Sequence, residues 1–257
     1  MKVSLISVPF EGTLSGKKGA SKGPEAILEM FWDQIDDYDC YLQKDSFSDI
    51  DFSMEDVISD NVEEMVSKVK EKVNSVEGFP IVIGGEHSVS IGAIDALKED
   101  LTVLQIDAHL DMKEDNSDYS KDITKLAHKC VMKRAIDMGC KTLSVGIRST
   151  SVEEMDFVKN NNLDVFFASD NLDINDIVSK IKTKNVYITI DADGFDPSVM
   201  PGVGTPVAGG LSWYFVLDLL KNVFSSKNVV GCDIVEVSPV SESNLTELNA
   251  AQLIQHI

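Results

Sequence analysis

The chain has 257 residues, 43% of them hydrophobic and 26% charged, a composition typical of a soluble globular protein with a full core. Asp and Glu number 43 against 23 Lys and Arg, so the formal net charge is −20 at pH 7. A field of that sign repels phosphate backbones and anionic lipids, which argues against nucleic acids and membrane surfaces as partners. It either favours cationic partners or serves only to keep the protein soluble.

Cysteine usage and the N-terminal residues predict a protein of a reducing compartment. None of the four cysteines lies in a zinc-binding or redox spacing, so free thiols are expected. The apolar stretch that begins at Val3 is too short for a signal peptide, and no apolar run is long enough to span a bilayer. We therefore expect a cytoplasmic location.

Strand-like and helix-like segments alternate along the whole chain. Pro24 in a first turn and a capping box of Ser151 and Glu154 mark two helix starts. Most strand segments are apolar at consecutive positions, which is typical of a parallel sheet covered on both faces. With no linker or repeat, the chain is predicted to be one α/β domain over residues 1–257. In chain order, the pattern predicts strand 3–8, helices from 23 and over 57–73, strands 80–83, 102–106 and 142–147, a helix from 152, strands 164–167 and 186–190, helix 211–224, strand 229–237 and helix 245–257.

Acidic and imidazole side chains follow four of the predicted strands at the end where ligands bind in open α/β sheets. A single Asp at a strand end is most often a turn or a helix cap, so the prediction rests on the combination. The residues concerned are His87 after strand 80–83, Asp107, His109 and Asp111 after strand 102–106, Asp191 and Asp193 after strand 186–190, and Asp233 and Glu236 in the last strand.

The spacing of these residues predicts a metal centre. In extended backbone, residues two apart point the same way, so Asp107, His109 and Asp111 are expected to converge, as are Asp191 and Asp193. Clustered carboxylates repel each other in an apolar crevice unless cations lie among them. Oxygen ligands with two imidazoles suit Mn²⁺ better than thiolate-bound zinc, and four carboxylates can balance two divalent ions.

The same residues resemble the ureohydrolase (arginase–agmatinase) superfamily, nearly end to end. This resemblance implies a three-layer α/β/α sandwich with a central, mainly parallel eight-stranded sheet. It also implies two Mn²⁺ per subunit, a small cationic guanidino substrate and a homo-oligomer, either a trimer or a hexamer. The motifs that carry it are GPEAI at 23–27, GGEHS at 84–88, DAHLD at 107–111, DADGFDP at 191–197, PGVGTP at 201–206 and DIVEVSP at 233–239.

The resemblance also implies roles for individual residues. His87 and Asp111 complete the first metal site, His109 and Asp193 the second, and Asp107 and Asp191 serve both. Asp111 additionally passes a proton to the leaving amine. Glu236 is expected to pair with the planar guanidinium of the substrate. His128 is the candidate substrate-contacting proton shuttle, because imidazole titrates near neutral pH, although it could also be an ordinary surface histidine.

Within that superfamily the chain is more similar to agmatinases than to arginases. It has Glu86 in the GGEHS motif, and it lacks a counterpart of the loop by which arginases hold the α-amino acid end of their substrate. The resemblance therefore implies hydrolysis of agmatine to putrescine and urea. Val207 and Ala208 stand where agmatinases usually have Glu-Pro, which leaves other substrates open: guanidinobutyrate, arginine or formiminoglutamate. A mononuclear metal deacetylase and a non-catalytic binding protein are further alternatives.

Two polar residues near these motifs are interpreted as structural. Asp196 precedes a proline and is expected to open a turn. Arg148 follows strand 142–147 and is expected to anchor a loop or to form an interface salt bridge.

Overall fold

The computed structural model describes residues 1–257, and the β-branched runs of the sequence form its strands. The strands are β1 (Lys2–Val8), β2 (Tyr38–Asp39), β3 (Lys44–Asp45), β4 (Asp51–Asp56), β5 (Phe79–Gly84), β6 (Leu101–Ile106), β7 (Lys141–Ile147), β8 (Asp164–Phe167), β9 (Asn185–Asp191) and β10 (Asn228–Val235). The helices are α1 (Gly23–Gln34), α2 (Val62–Ser75), α3 (Val89–Leu97), α4 (Val131–Asp137), α5 (Val152–Asn161), α6 (Ile174–Lys180), α7 (Trp213–Ser226) and α8 (Leu245–His256).

Eight strands form one sheet in the order β4-β1-β5-β10-β9-β6-β7-β8, and every neighbouring pair in it is parallel. β2 and β3 form a separate antiparallel pair. Because parallel strands all end at the same edge, the segments that follow β5, β10, β9 and β6 emerge side by side.

Helices cover both faces of the sheet, which gives three layers. On one face α1, α6, α7 and α8 pack against strand side chains such as Leu5 and Ile188. On the other face α2, α3, α4 and α5 pack against alternate strand residues such as Ile6 and Val103. The expected α/β/α sandwich with an eight-stranded parallel sheet is confirmed.

The elements that the sequence pattern does not reveal lack a clear apolar period. β4 is an edge strand of largely polar residues that pairs only with β1. α4 and α6 have seven residues each, which is too short for a periodic signal. α3 is buried over its first two turns and has no polar face there.

Among the boundaries that differ from the predictions, three have a clear local reason. β10 ends at Val235 because Glu236 adopts a left-handed φ of 62°. α2 begins at Val62, since the side chain of Asn61 caps it by accepting from Glu64 N, and α7 begins after the cap at Ser212. The predicted capping box at Ser151 is present. None of the helices has both the length and the apolar character that crossing a bilayer requires.

Candidate metal centre

Two histidines and four aspartates meet where β5, β9 and β6 end. His87 Nδ1 lies 3.0 Å from Asp111 Oδ2, 3.3 Å from Asp107 Oδ2 and 3.5 Å from Asp191 Oδ2. His109 Nδ1 lies 3.1 Å from Asp193 Oδ2 and 3.6 Å from Asp107 Oδ1. Asp107 therefore stands between two groups of possible ligands, one around each imidazole.

The chain reaches this convergence partly through extended backbone, as expected, and partly through turns: beyond the end of β6, His109 still forms a parallel bridge with Ser149. Asp111 has a left-handed φ of 51°. Asp193 lies in the 3-10 turn Ala192–Gly194. The side chain of Asp191 caps this turn by accepting from Asp193 N at 2.8 Å. β6 has already ended at Ile106, before the first ligand. Extended backbone at His109 and the turns at Asp111 and Asp193 together bring side chains that lie two positions apart to a common point.

The orientation of His87 is fixed by a chain of hydrogen bonds below it. Thr189 Oγ1 donates to Asp233 Oδ1 at 2.6 Å, so this hydroxyl can only accept from His87 Nε2–H, which lies 2.8 Å away. Tyr187 donates to the other oxygen of Asp233 at 2.9 Å. A hydrogen of His87 is thereby placed on Nε2, so Nδ1, which faces the carboxylates, is the nitrogen that would bind a metal.

Two observations show that this donor set fits divalent cations. Nδ1 of His87 is fully buried and makes no hydrogen bond. In the metal-free chain, burial and the charges of Asp193 and Asp107 hold the pKa of Asp191 well above its usual range, and burial with the charge of Asp107 raises the pKa of Asp111 to about 6. Carboxylates crowded in this way need positive charge to remain ionised together, and two dications supply it.

Neighbouring polar groups orient the carboxylates themselves. Asp107 accepts from Gln105 Nε2 at 2.8 Å and from the N–H of His109 at 2.6 Å. Asp193 accepts from the N–H of Ala108 and from Thr205 Oγ1, each at 3.1 Å. Sequence analysis did not identify Gln105 or Thr189, although each is a polar residue in an otherwise apolar strand, and that interruption was the available signal.

Glu236 borders the same centre, one residue beyond the end of β10. Its Oε1 accepts from His87 N at 2.8 Å, and its Oε2 makes no hydrogen bond within the chain. Burial raises the pKa of Glu236 to about 8 in the metal-free chain. A cation placed beside Oε2 would favour the ionised carboxylate.

His128 lies across the cleft, in the 3-10 turn His128–Cys130 before α4, and is half-buried. Its nearest polar neighbours are Thr13, Ser15 and Tyr119, and none of them belongs to the cluster of possible metal ligands. Burial lowers the pKa of His128 to about 3. The surroundings of this imidazole therefore disfavour its charged form.

A cleft of about 330 Å³ joins these groups. His109, Asp111, Asp191, Asp193 and Glu236 line its base, and His128 lines its wall. His87 and Asp107 lie beneath the base and are completely buried. The cleft can therefore admit a small molecule to one side of the cluster only.

The two residues interpreted as structural have structural contacts. Asp196 accepts from Ser198 and from the N–H groups of Gly209 and Gly210, and these bonds lower its pKa to about 2. Arg148 donates only to backbone carbonyls and so anchors loops.

Comparisons with known proteins agree with this geometry. The chain matches the model of the arginase family over residues 1–257. It is 37% identical to the N(1)-aminopropylagmatine ureohydrolase of Synechocystis sp., over 98% of this chain and 86% of that protein. It is 34% identical to the agmatinase of Pyrococcus horikoshii, over 98% and 89%. The solved agmatine ureohydrolase of Thermoplasma volcanium superposes with a TM-score of 0.85 at 31% identity, covering 99% of this chain and 87% of that one. The resemblance drawn from the motifs is confirmed.

Proposed function

The chain belongs to the arginase family, and from that premise we propose that it is a binuclear manganese enzyme that hydrolyses agmatine to putrescine and urea. Membership makes it a metal-dependent hydrolase of guanidino C–N bonds, close to agmatinase-like enzymes, and excludes the deacetylase alternative. The observation that carries the proposal is the buried, unpartnered Nδ1 of His87 among three carboxylates.

The six clustered residues divide between two ions in this proposal. His87 and Asp111 would hold one ion and His109 and Asp193 the other, while Asp107 and Asp191 serve both. A set of mostly oxygen donors with two imidazoles favours manganese over zinc. When bound, the ions supply Lewis acidity, which acidifies a water for attack on the guanidinium carbon and stabilises the charge that develops.

The protein side chains would bind the substrate and move protons. Glu236 would bind the guanidinium through the carboxylate oxygen that has no partner in the chain, since a planar cation suits that contact. Asp111 would carry a proton from the attacking water to the leaving amine. His128, on the cleft wall, would exchange protons with solvent as a neutral base.

A second substrate, N(1)-aminopropylagmatine, is favoured by one observation. The relative with 37% identity, from Synechocystis, is named for that compound. This compound shares the guanidino group of agmatine and carries one more amine, so the same centre would release urea and a triamine.

We further propose that residues 1–257 act as one domain, because a single sheet takes strands from Lys2 to Val235. The homo-oligomeric state and the cytoplasmic location rest on the family resemblance and on the sequence.

Turnover of a substrate panel by the manganese-loaded protein tests the proposal. Urea release would be measured for agmatine, N(1)-aminopropylagmatine, guanidinobutyrate and arginine, and glutamate release for formiminoglutamate. The highest kcat/KM on agmatine supports the proposal, and the highest value on N(1)-aminopropylagmatine supports the second candidate. A preference for any other compound overturns both, and two bound ions without turnover would indicate the non-catalytic alternative. Glu236→Gln is the matched control, expected to bind both ions and to lose turnover.

A further inference from the structure

The imidazole of His128 faces two hydroxyl oxygens, and the hydrogen of each hydroxyl is donated to another acceptor. Tyr119 donates its hydroxyl hydrogen to the carbonyl oxygen of Thr13 at 2.9 Å. Thr13 donates its own to Glu86 Oε1 at 2.6 Å. Glu86 is completely buried and also accepts from Thr13 N and from Ser88 Oγ, so its carboxylate acts purely as an acceptor.

With their hydrogens committed, both oxygens can only accept from the ring. Nδ1 of His128 lies 3.3 Å from the hydroxyl oxygen of Tyr119 and 3.4 Å from Thr13 Oγ1. The backbone N–H of His128 also donates to Thr13 Oγ1, at 3.0 Å, which anchors the main chain of His128 beside these acceptors. On the other side, Nε2 lies 3.1 Å from Ser15 Oγ, a hydroxyl that is exposed and free to rotate into a donating position.

A neutral imidazole carries its one hydrogen on either nitrogen, and the partners of the two nitrogens decide which. Burial lowers the pKa of His128, so the ring is neutral at pH 7. Two acceptors face Nδ1, whereas the only neighbour of Nε2 can donate. The hydrogen therefore belongs on Nδ1.

We propose that Glu86, Thr13 and Tyr119 are positioning residues that hold His128 in its Nδ1–H tautomer, with the lone pair of Nε2 available to the cleft. Its relevance to turnover rests on the proposed function, in which His128 transfers protons. A proton would then arrive and leave at Nε2, while Nδ1–H stays bound to the acceptors behind it. The reverse tautomer would present a hydrogen where a base is needed.

Nitrogen NMR of histidine side chains reads the tautomer directly. The protein would be labelled with ¹⁵N-histidine and measured at pH 7, both metal-free and loaded with Zn²⁺, which is diamagnetic. The His128 signals are identified by their loss in His128→Gln. We expect Nδ1 at the shift of a protonated nitrogen and Nε2 at that of an unprotonated one. A protonated Nε2 in the unmodified chain overturns the proposal.

Variants separate positioning from a general structural role. Thr13→Val combined with Tyr119→Phe removes both acceptors at Nδ1 and is expected to convert His128 to a mixture of tautomers or to Nε2–H. Tyr119→Phe alone, at a half-buried site, should shift the population partly and guards against loss of folding in the double variant. Ser15→Ala is the control, because it changes the Nε2 side only and should keep Nδ1–H. An unchanged Nδ1–H tautomer in the folded variants overturns the proposal.

Kinetics connect the tautomer to turnover. In the manganese-loaded enzyme the double variant is expected to lower kcat by up to ~10²-fold, within the usual contribution of an acid–base group, with KM nearly unchanged. A change in KM alone contradicts a role through His128. If the spectra show the expected tautomer and no guanidino compound is hydrolysed, the proposed function fails and the tautomer assignment stands.

Discussion

The guanidinium of Arg148 donates to the backbone carbonyl of Asp193 at 2.6 Å, behind the carboxylate that faces the metal centre. The same guanidinium donates to the carbonyls of Gly146, Gly194, Phe195 and Val207. One rigid side chain thereby joins the end of β7, the turn that carries Asp193 and the following loop. Arg148 contacts no carboxylate of the centre, yet it fixes where one of them lies.

Arg148→Lys should weaken the second metal site, although it keeps the charge. Lysine places its three donors on one atom and cannot reach carbonyls spread around a planar guanidinium. We expect the free energy of unfolding to fall by ~1–3 kcal/mol and the affinity for the second ion to fall by roughly tenfold. Urea unfolding of the metal-free chain and manganese titration measure the two effects.

The chain contains one other arginine, which provides the control for that prediction. Arg134 pairs with Asp137 on α4, away from the centre. Arg134→Lys should leave both ions bound with unchanged affinity. Equal metal affinity in the two variants would show that Arg148 does not hold the turn.

Thr189→Val should weaken metal binding at His87 while preserving the shape of the side chain at position 189. The variant removes the acceptor for His87 Nε2–H and leaves Asp233 without its 2.6 Å donor. Loss of such a partner typically lowers metal affinity by about 10–100-fold. Competition with a chelator of known affinity measures the change. Thr102→Val, the same substitution at a buried site on neighbouring β6, is the control and should retain full affinity.

The two histidines of the cleft should respond differently to truncation. His109→Ala removes a ligand near Asp193 and Asp107, so the variant, like Asp193→Ala, should bind one ion and lose most activity. His128→Ala should bind both ions and lose about 10²–10⁴-fold in kcat, as expected for an acid–base group. Metal content by mass spectrometry and urea release are measured on the same samples. Wild-type turnover by His128→Ala would exclude its role in proton transfer.

Metal binding should reverse the pH dependence of stability. The pKa of Glu236 is about 8 in the folded, metal-free chain against an ordinary 4.5, so the folded chain holds a proton that the unfolded chain releases. The pKa of His109 is raised to about 11, because Asp107 and Asp193 outweigh the effect of burial. Above pH 6.5, the folded chain therefore also holds a proton on His109 that the unfolded chain releases. The free energy of unfolding should therefore fall from pH 5 to pH 8. Each unit of pKa difference between the folded and unfolded chain contributes up to ~1.4 kcal/mol to this fall.

Added manganese should oppose this trend, because protons compete with the metal for the same groups and the competition weakens as pH rises. Urea unfolding at pH 5 and pH 8, with and without Mn²⁺, tests both signs. Glu236→Gln should flatten the metal-free slope, whereas Glu242→Gln, at an exposed site, should not. Greater stability of the metal-free chain at pH 8 than at pH 5 would contradict the prediction.

The sequence by itself determined the fold class and the composition of the site. Consecutive apolar residues in the strand segments predicted a covered parallel sheet, and that sheet brings the residues after Gly84, Ile106 and Ile190 to one edge. Residue types and their spacing were then enough to identify a candidate ligand set around His87 and His109. Hydrophobic patterning is a property of local sequence, which is why the strand segments could be inferred without coordinates.

Only the tertiary structure decided how these groups are oriented and charged. The left-handed turns at Asp111 and Glu236, the proton on His87 Nε2 and the lowered pKa of His128 all depend on partners far away in the chain: Thr189 lies 102 residues from His87, and Thr13 lies 115 residues from His128. Hydrogen-bond direction and burial arise from packing between such distant segments.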